Sequence, residues 1–210
     1  MPITRVVNLN KAGKNIVVLI CCSSILEEKT AILYKRIAEK VQLPLVKSFL
    51  FHIAHDSEKH SAIFRGIGES IGALSKEPKD CRKKLGQIWQ VTENLTREIV
   101  SKPKISEKEM TWLTERLVPI ESFMGEEYYI LVQAKTFEFL TKEIRQVYGV
   151  NLQSLKHILQ KVIKDEEEHM RLLATIKEML VKRELKRQHN DPEVRYQSPD
   201  AWIRSIPSTY

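Results

Sequence analysis

Along most of this chain apolar residues return every three or four positions, and sustained alternation of apolar and polar residues is missing, so the pattern predicts helices and gives strands little support. The first predicted helix runs from about Lys14 to Val41, and "QLPL" (42–45) turns it into a second that reaches about Ile71. The glycine-bearing stretch "GIGESIGALSKEP" (66–78) ends that helix, and a short helix follows over 81–100 until the proline of "SKPKIS" stops it. A third long helix is expected from about Glu107 to Tyr148, kinked at Pro119, where the ring removes a backbone donor and crowds the preceding turn. "YGVN" (148–151) then offers Gly149 as a C-cap and Asn151 as the next N-cap, opening a fourth long helix to about Arg187. The expected organisation is all-α: residues 1–187 form a four-helix bundle of two antiparallel hairpins, with the short helix in the crossover. Residues 188–210 form an irregular polar tail whose anchor, on the surface or on a partner, is Trp202.

The inward stripes carry charge. On the fourth long helix the core positions read Leu155, Leu159, Val162, Glu166, His169, Leu173, Ile176 and Leu180, so of the acids in "KDEEEH" only Glu166 falls squarely inside. Asp165, Glu167 and Glu168 fall outward or on the flanks. The second helix repeats the arrangement with His60 but has Ser57 where the carboxylate would be, and the first places Glu27 and Tyr34 on its stripe. The third places Glu127 inward, between Met124 and Leu131.

Depth along the bundle agrees for most of these. Glu27 stands 16 residues before Leu43 and His60 17 after it; Glu166 stands 17 after Gly149 and Glu127 22 before it. At about 1.5 Å per residue the second mismatch is about one helical turn, whereas Glu121 is expected about ten residues too deep. Three carboxylates meeting at one level of a core cost several kcal/mol each unless neutralised, and no lysine or arginine lies on these stripes. A divalent metal would neutralise them, and carboxylate with imidazole is a donor set that iron or manganese accepts.

Composition alters this picture little. A chain of 210 residues, 42% hydrophobic and 29% charged, suits one domain with a core of its own. The net charge of +7 raises the question of nucleic acid, but the basic residues are spread through "CRKK", "SKPK" and "KRELKR" without a recognition motif beside them. "NIVVLICCSSIL" (15–26) is too short to span a membrane and lacks a signal-peptide cleavage site. Cys21, Cys22 and Cys81 make neither a CxxC pair nor an even disulfide framework, so a reducing cytoplasm is the expected location.

"EEKTAILY" (27–34), "IAHDSEKH" (53–60), "GEEYY" (125–129) and "IKDEEEH" (163–169) resemble the ferritin-like superfamily, most closely its rubrerythrin-type di-iron carboxylate bundles, over roughly residues 15–185. The resemblance implies Glu27 and Glu127 as terminal ligands, Glu166 as a bridging carboxylate, and His60 and His169 as imidazole ligands. Glu126, Asp56 and Glu121 stand as second choices, and "GEE" leaves Glu126 and Glu127 open. The family's other bridging glutamate falls on Ser57. There Asp56 swings in, water fills the gap, or one metal position is lost and a single iron or zinc remains. Tyr34 and Tyr128 are candidates for hydrogen bonds to the ligands. His52, His55 and His157 are assigned no ligand role.

The implied function is an iron protein, with manganese or zinc as alternatives, that reacts with peroxide or dioxygen in oxidative stress or iron handling. It implies an external electron donor, since three cysteines cannot build a rubredoxin module, and a homo-oligomer, a dimer foremost. The other reading is a non-catalytic helical binding or assembly protein with a degenerate metal site that protects nucleic acid. No membrane partner is expected.

Overall fold

The chain was described from a computed structural model, whose described residues are 11–70, 81–133, 142, 145 and 153–190. Five helices account for nearly all of them: α1 (Lys11–Lys40), α2 (Pro44–Ser70), α3 (Cys81–Ser101), α4 (Glu107–Gln133) and α5 (Gln153–Asn190). Among the described residues there is no strand, only an isolated bridge between Val41 and Ile105. No helix among them is long and apolar enough to cross a membrane. Helix α5 continues to Asn190, so residues 188–190, expected in the tail, are helical. The rest of the tail, with Trp202, lies outside the described residues, as do Tyr148, Gly149 and Asn151.

Local chemistry accounts for the helix boundaries. Pro44 opens α2, a first-turn position where its missing N–H costs nothing because that donor has no intrahelical acceptor. Ser106 caps α4: its hydroxyl accepts from the Glu109 N–H at 3.2 Å, and the Ser106 N–H donates back to Glu109 Oε2 at 2.9 Å. Lys40 gathers carbonyls at the end of α3 and just past it: its ammonium donates to Ile99 O at 2.7 Å, to Val100 O at 3.0 Å and to Lys102 O. Helix α4 runs through Pro119. In α3 the expected continuous helix is interrupted at Gly86, whose φ of 54° lies in the left-handed region that glycine enters at no steric cost.

The helices pack as two pairs. In the first, Lys35 of α1 meets Glu58 of α2 while Ser24 meets Ser61, so the two run antiparallel across their three-residue link. In the second, Glu107 meets Arg187, Glu115 meets Lys177 and Glu121 meets His169, so α4 and α5 are antiparallel as well. Helix α2 also touches α5, and α3 packs on α1. Leu33, Ile37, Leu50, Phe64, Leu117, Leu173 and Ile176 are among the side chains buried between the helices. The expectation of unpaired cysteines is overturned. Cys22 of α1 and Cys81 of α3 form a disulfide, and Cys21 stays free and buried. A separation of 59 residues concealed the pairing, which exists because α3 folds back onto α1. The argument from cysteines to a reducing compartment therefore loses its premise.

Candidate metal centre

Midway along both helix pairs, five carboxylate and imidazole side chains are fully buried: Glu27 from α1, His60 from α2, Glu121 from α4, and Glu166 and His169 from α5. Their donor atoms fall into two groups, Glu27–His60–Glu166 and Glu121–Glu166–His169, in each of which all three atoms lie within 4.8 Å of one another. Glu166 belongs to both. The helices deliver these residues by simple periodicity: Glu166 and His169 are three apart and project from one face of α5, as Ser57 and His60 do on α2.

The arrangement repeats across the molecule. Tyr34, seven residues beyond Glu27 on α1, donates its hydroxyl proton to Glu121 Oε1 at 2.6 Å. Tyr128, seven beyond Glu121 on α4, donates to Glu27 Oε1 at 2.6 Å. Packing fixes that second tyrosine, because its ring lies 4.6 Å, centroid to centroid, from the ring of Phe64. Each imidazole has an outer carboxylate from the opposite pair. His60 Nε2 is 3.2 Å from Asp165 Oδ2, and His169 Nε2 is 3.4 Å from Asp56 Oδ2. Lys59 ties the two aspartates together, at 2.6 Å from Asp56 and 2.8 Å from Asp165.

Inside the centre the fit is that of donors facing a common point. His60 Nδ1 lies 2.8 Å from Glu166 Oε1 and 3.4 Å from Glu27 Oε1. His169 Nδ1 lies 2.8 Å from Glu121 Oε2, a hydrogen bond, and 3.5 Å from Glu166 Oε2. Yet among the described residues His60 Nδ1, both Glu166 oxygens, Glu27 Oε2 and Ser57 Oγ have no hydrogen-bond partner of acceptable geometry. Two donors bound at right angles to one small divalent cation, each at about 2.1 Å, stand about 3 Å apart without pointing at each other. His60 Nδ1 and Glu166 Oε1, 2.8 Å apart, have that spacing. Among the described residues no lysine or arginine forms an ion pair with Glu27, Glu121 or Glu166.

Without a cation the centre balances its charge with protons. Burial alone would lower the His60 imidazole, but the Glu166 and Glu27 carboxylates beside it win and raise it to about 10. His169, likewise opposed by burial, is raised to about 11 by Glu121 and Glu166. Burial, then repulsion from Glu27, pushes Glu166 up to about 8 despite the two imidazoles. Both tyrosines are pushed well above their usual range, by burial first and by the glutamates second. They act as neutral donors. Asp56 and Asp165 are moderately buried, which opposes ionisation, but Lys59 and the histidines hold both below the ordinary carboxylate range.

Several residues sit elsewhere than the sequence implied. Glu121, expected too deep, lies in the centre, because counting back from Gly149 assumes that both helices leave their connection at one level. On α4 Leu117, Ile120, Glu121, Met124 and Tyr128 are buried, and the side chain of Glu127 lies outside those described. Glu126 is exposed and accepts from Ser122 at 3.3 Å. Asp56 does not swing inward; it sits behind His169, held by Lys59. His52, His55 and His157 are exposed. Asp165, expected outside, and Lys59, not considered, were missed. The sequence did contain a signal for Glu121 and Asp165: glutamate and tyrosine seven apart, then aspartate and histidine four apart, occurs twice, as Glu27, Tyr34, Asp56, His60 and as Glu121, Tyr128, Asp165, His169.

No family model, curated protein or solved structure matches the chain. The buried glutamates and histidines can hold a metal ion, and the case for which ion and for what purpose rests on the residues themselves.

Proposed function

We propose that the chain is a dinuclear metal-carboxylate protein of ferritin-like, rubrerythrin-type design, with iron as its metal, serving peroxide or dioxygen chemistry in oxidative stress or iron handling. One observation carries this reading: Glu166, fully buried, has no hydrogen-bond partner among the described residues on either oxygen and belongs to two three-donor groups at once. A carboxylate so placed is costly without positive charge on both sides.

Glu27 and His60 would hold one ion, Glu121 and His169 the other, and Glu166 would be shared. Two glutamates and one histidine at each position suit Fe(II), Mn(II) and Zn(II), and only the iron or manganese pair adds redox chemistry. Tyr128 and Tyr34 hold the terminal glutamates in orientation, and Asp165 and Asp56 fix the imidazole rings. Burial keeps bulk water from the centre and strengthens each of these contacts. An external electron donor and a homodimer belong to this reading. Two of the three cysteines are bonded to each other, so the described residues hold no thiolate set to carry electrons.

Anaerobic reconstitution with Fe(II), followed by elemental analysis and exposure to oxygen, tests it. The expected result is two irons per chain and an oxygen-dependent absorbance change. A protein that takes up no metal, is insensitive to chelators and retards DNA in a salt-dependent way would refute it in favour of a nucleic-acid-protecting binder.

A further inference from the structure

The two halves of the centre match residue for residue except at one position. Asp56 answers Asp165 and His60 answers His169, so Ser57 stands where symmetry calls for a second shared carboxylate opposite Glu166. Ser57 is completely buried, and its hydroxyl has no hydrogen-bond partner among the described residues. The tyrosine hydroxyls of the same centre are both paired, as are Ser24 and Ser61 one turn further along. A buried hydroxyl left alone costs about 1–3 kcal/mol, so its retention points to a ligand.

Charge identifies the class of ligand. Three glutamates facing two divalent cations leave one positive charge without an anion directly beside the metals, since the single net negative charge of Asp56, Asp165 and Lys59 lies behind the histidines. Neither aspartate can cancel it from its position, since both are engaged with Lys59 and with the outer nitrogens of the histidines. Serine carries a hydroxyl where glutamate has its γ-methylene and is shorter by the carboxylate beyond it, so a small carboxylate is the group whose shape and charge complete the ring. The wall here is thin: Asp56 and Asp165, each in contact with a buried histidine, are 18% and 16% exposed, and the Lys59 ammonium lies over them.

Resting on the dinuclear reading above, we infer that the Ser57 edge of the centre is a binding site for an exogenous small carboxylate, seated opposite Glu166 and accepting a hydrogen bond from Ser57 Oγ. The ligand supplies the charge that the chain omits, and it leaves an exchangeable position where a glutamate would have closed the centre.

The experiment uses the whole protein loaded anaerobically with Co(II), whose visible bands report coordination, with cobalt content fixed by elemental analysis and acetate as the probe. The wild type is expected to bind two cobalt ions and to show a saturable band shift with acetate. Ser57→Ala should keep both ions and bind acetate about five- to tenfold more weakly, the loss of one hydrogen bond. Ser57→Glu should keep both ions and weaken acetate by at least about a hundredfold, because like charges then meet. Two bound cobalt ions with no acetate response in the wild type, or an equal response in all three proteins, overturn the inference and leave the dinuclear reading standing. A response that appears only in Asp56→Asn shows that Asp56 fills the edge, and overturns it too. Fewer than two cobalt ions in the wild type overturn the dinuclear reading, and the inference with it.

Discussion

Replacing Glu166 with glutamine should strengthen the metal-free protein while abolishing its metal binding. In the unfolded chain this carboxyl ionises near 4.5, and in the folded one at about 8. A carboxyl with a raised folded value binds its proton more tightly when folded. Its stabilising contribution is therefore complete below pH 4.5 and is lost as pH climbs through about 8. At pH 7 the wild type must take up a proton in order to fold, which costs about 1.4 kcal/mol for each pH unit above the unfolded value, or about 3 kcal/mol. Glutamine has the shape of the protonated acid and avoids that cost, while His60 keeps Glu27 and His169 keeps Glu121 as a carboxylate partner. Glu166→Gln should then raise the melting temperature of the chelator-treated protein by on the order of 6–12 °C at pH 7, and by almost nothing near pH 4. Thermal unfolding followed by circular dichroism at both pH values measures the difference, and elemental analysis after reconstitution checks the metal. If the variant is less stable than wild type at pH 7, or still binds two metals per chain, Glu166 is not the strained, shared anion described here.

Four further outcomes are expected. Reducing the Cys22–Cys81 bridge, which spans 59 residues, should cost about 4 kcal/mol of stability by freeing the unfolded chain; a urea midpoint indifferent to reductant would contradict this. Tyr128→Phe strips Glu27 Oε1 of its donor and should lower metal affinity by about ten- to a hundredfold, as read by competition with a chelator of known strength. Lys59→Met unties Asp56 from Asp165 and should weaken both metal positions together by about tenfold, whereas a loss confined to one ion would break the proposed symmetry. Filling the centre must expel protons from His60, raised to about 10, His169, raised to about 11, and Glu166, raised to about 8. Apparent metal affinity should therefore climb from pH 6 to pH 9, with proton release measurable by titration calorimetry in buffers of differing ionisation heat.

Part of the centre could be read along single helices. Glu166 and His169 share a face with Val162 and Leu173, and Glu27 and His60 each interrupt an apolar row, so their burial follows from spacing alone. Glu121 could not be ranked that way. It adjoins Ile120, and both are buried, so the apolar row of α4 is wide enough to admit either Glu121 or Glu127 as its acid. What ties Glu121 to the centre is Tyr34 and His169, which come from other helices. Asp165 looked like one more exposed acid because its partners, His60 and Lys59, are more than a hundred residues away in sequence.

Sequence periodicity by itself determined that this chain is helical, where most of its helices begin and end, and that acids and imidazoles would be buried among its apolar residues. Those properties depend on neighbours within a turn or two, which the order of residues records directly. The tertiary structure alone decided that Cys22 meets Cys81, that Glu121 stands at the level of Glu27, and that each histidine leans on an aspartate from the other pair. Each of these depends on how far one rigid helix is displaced along another, and that offset is set by packing and connections summed over the whole molecule.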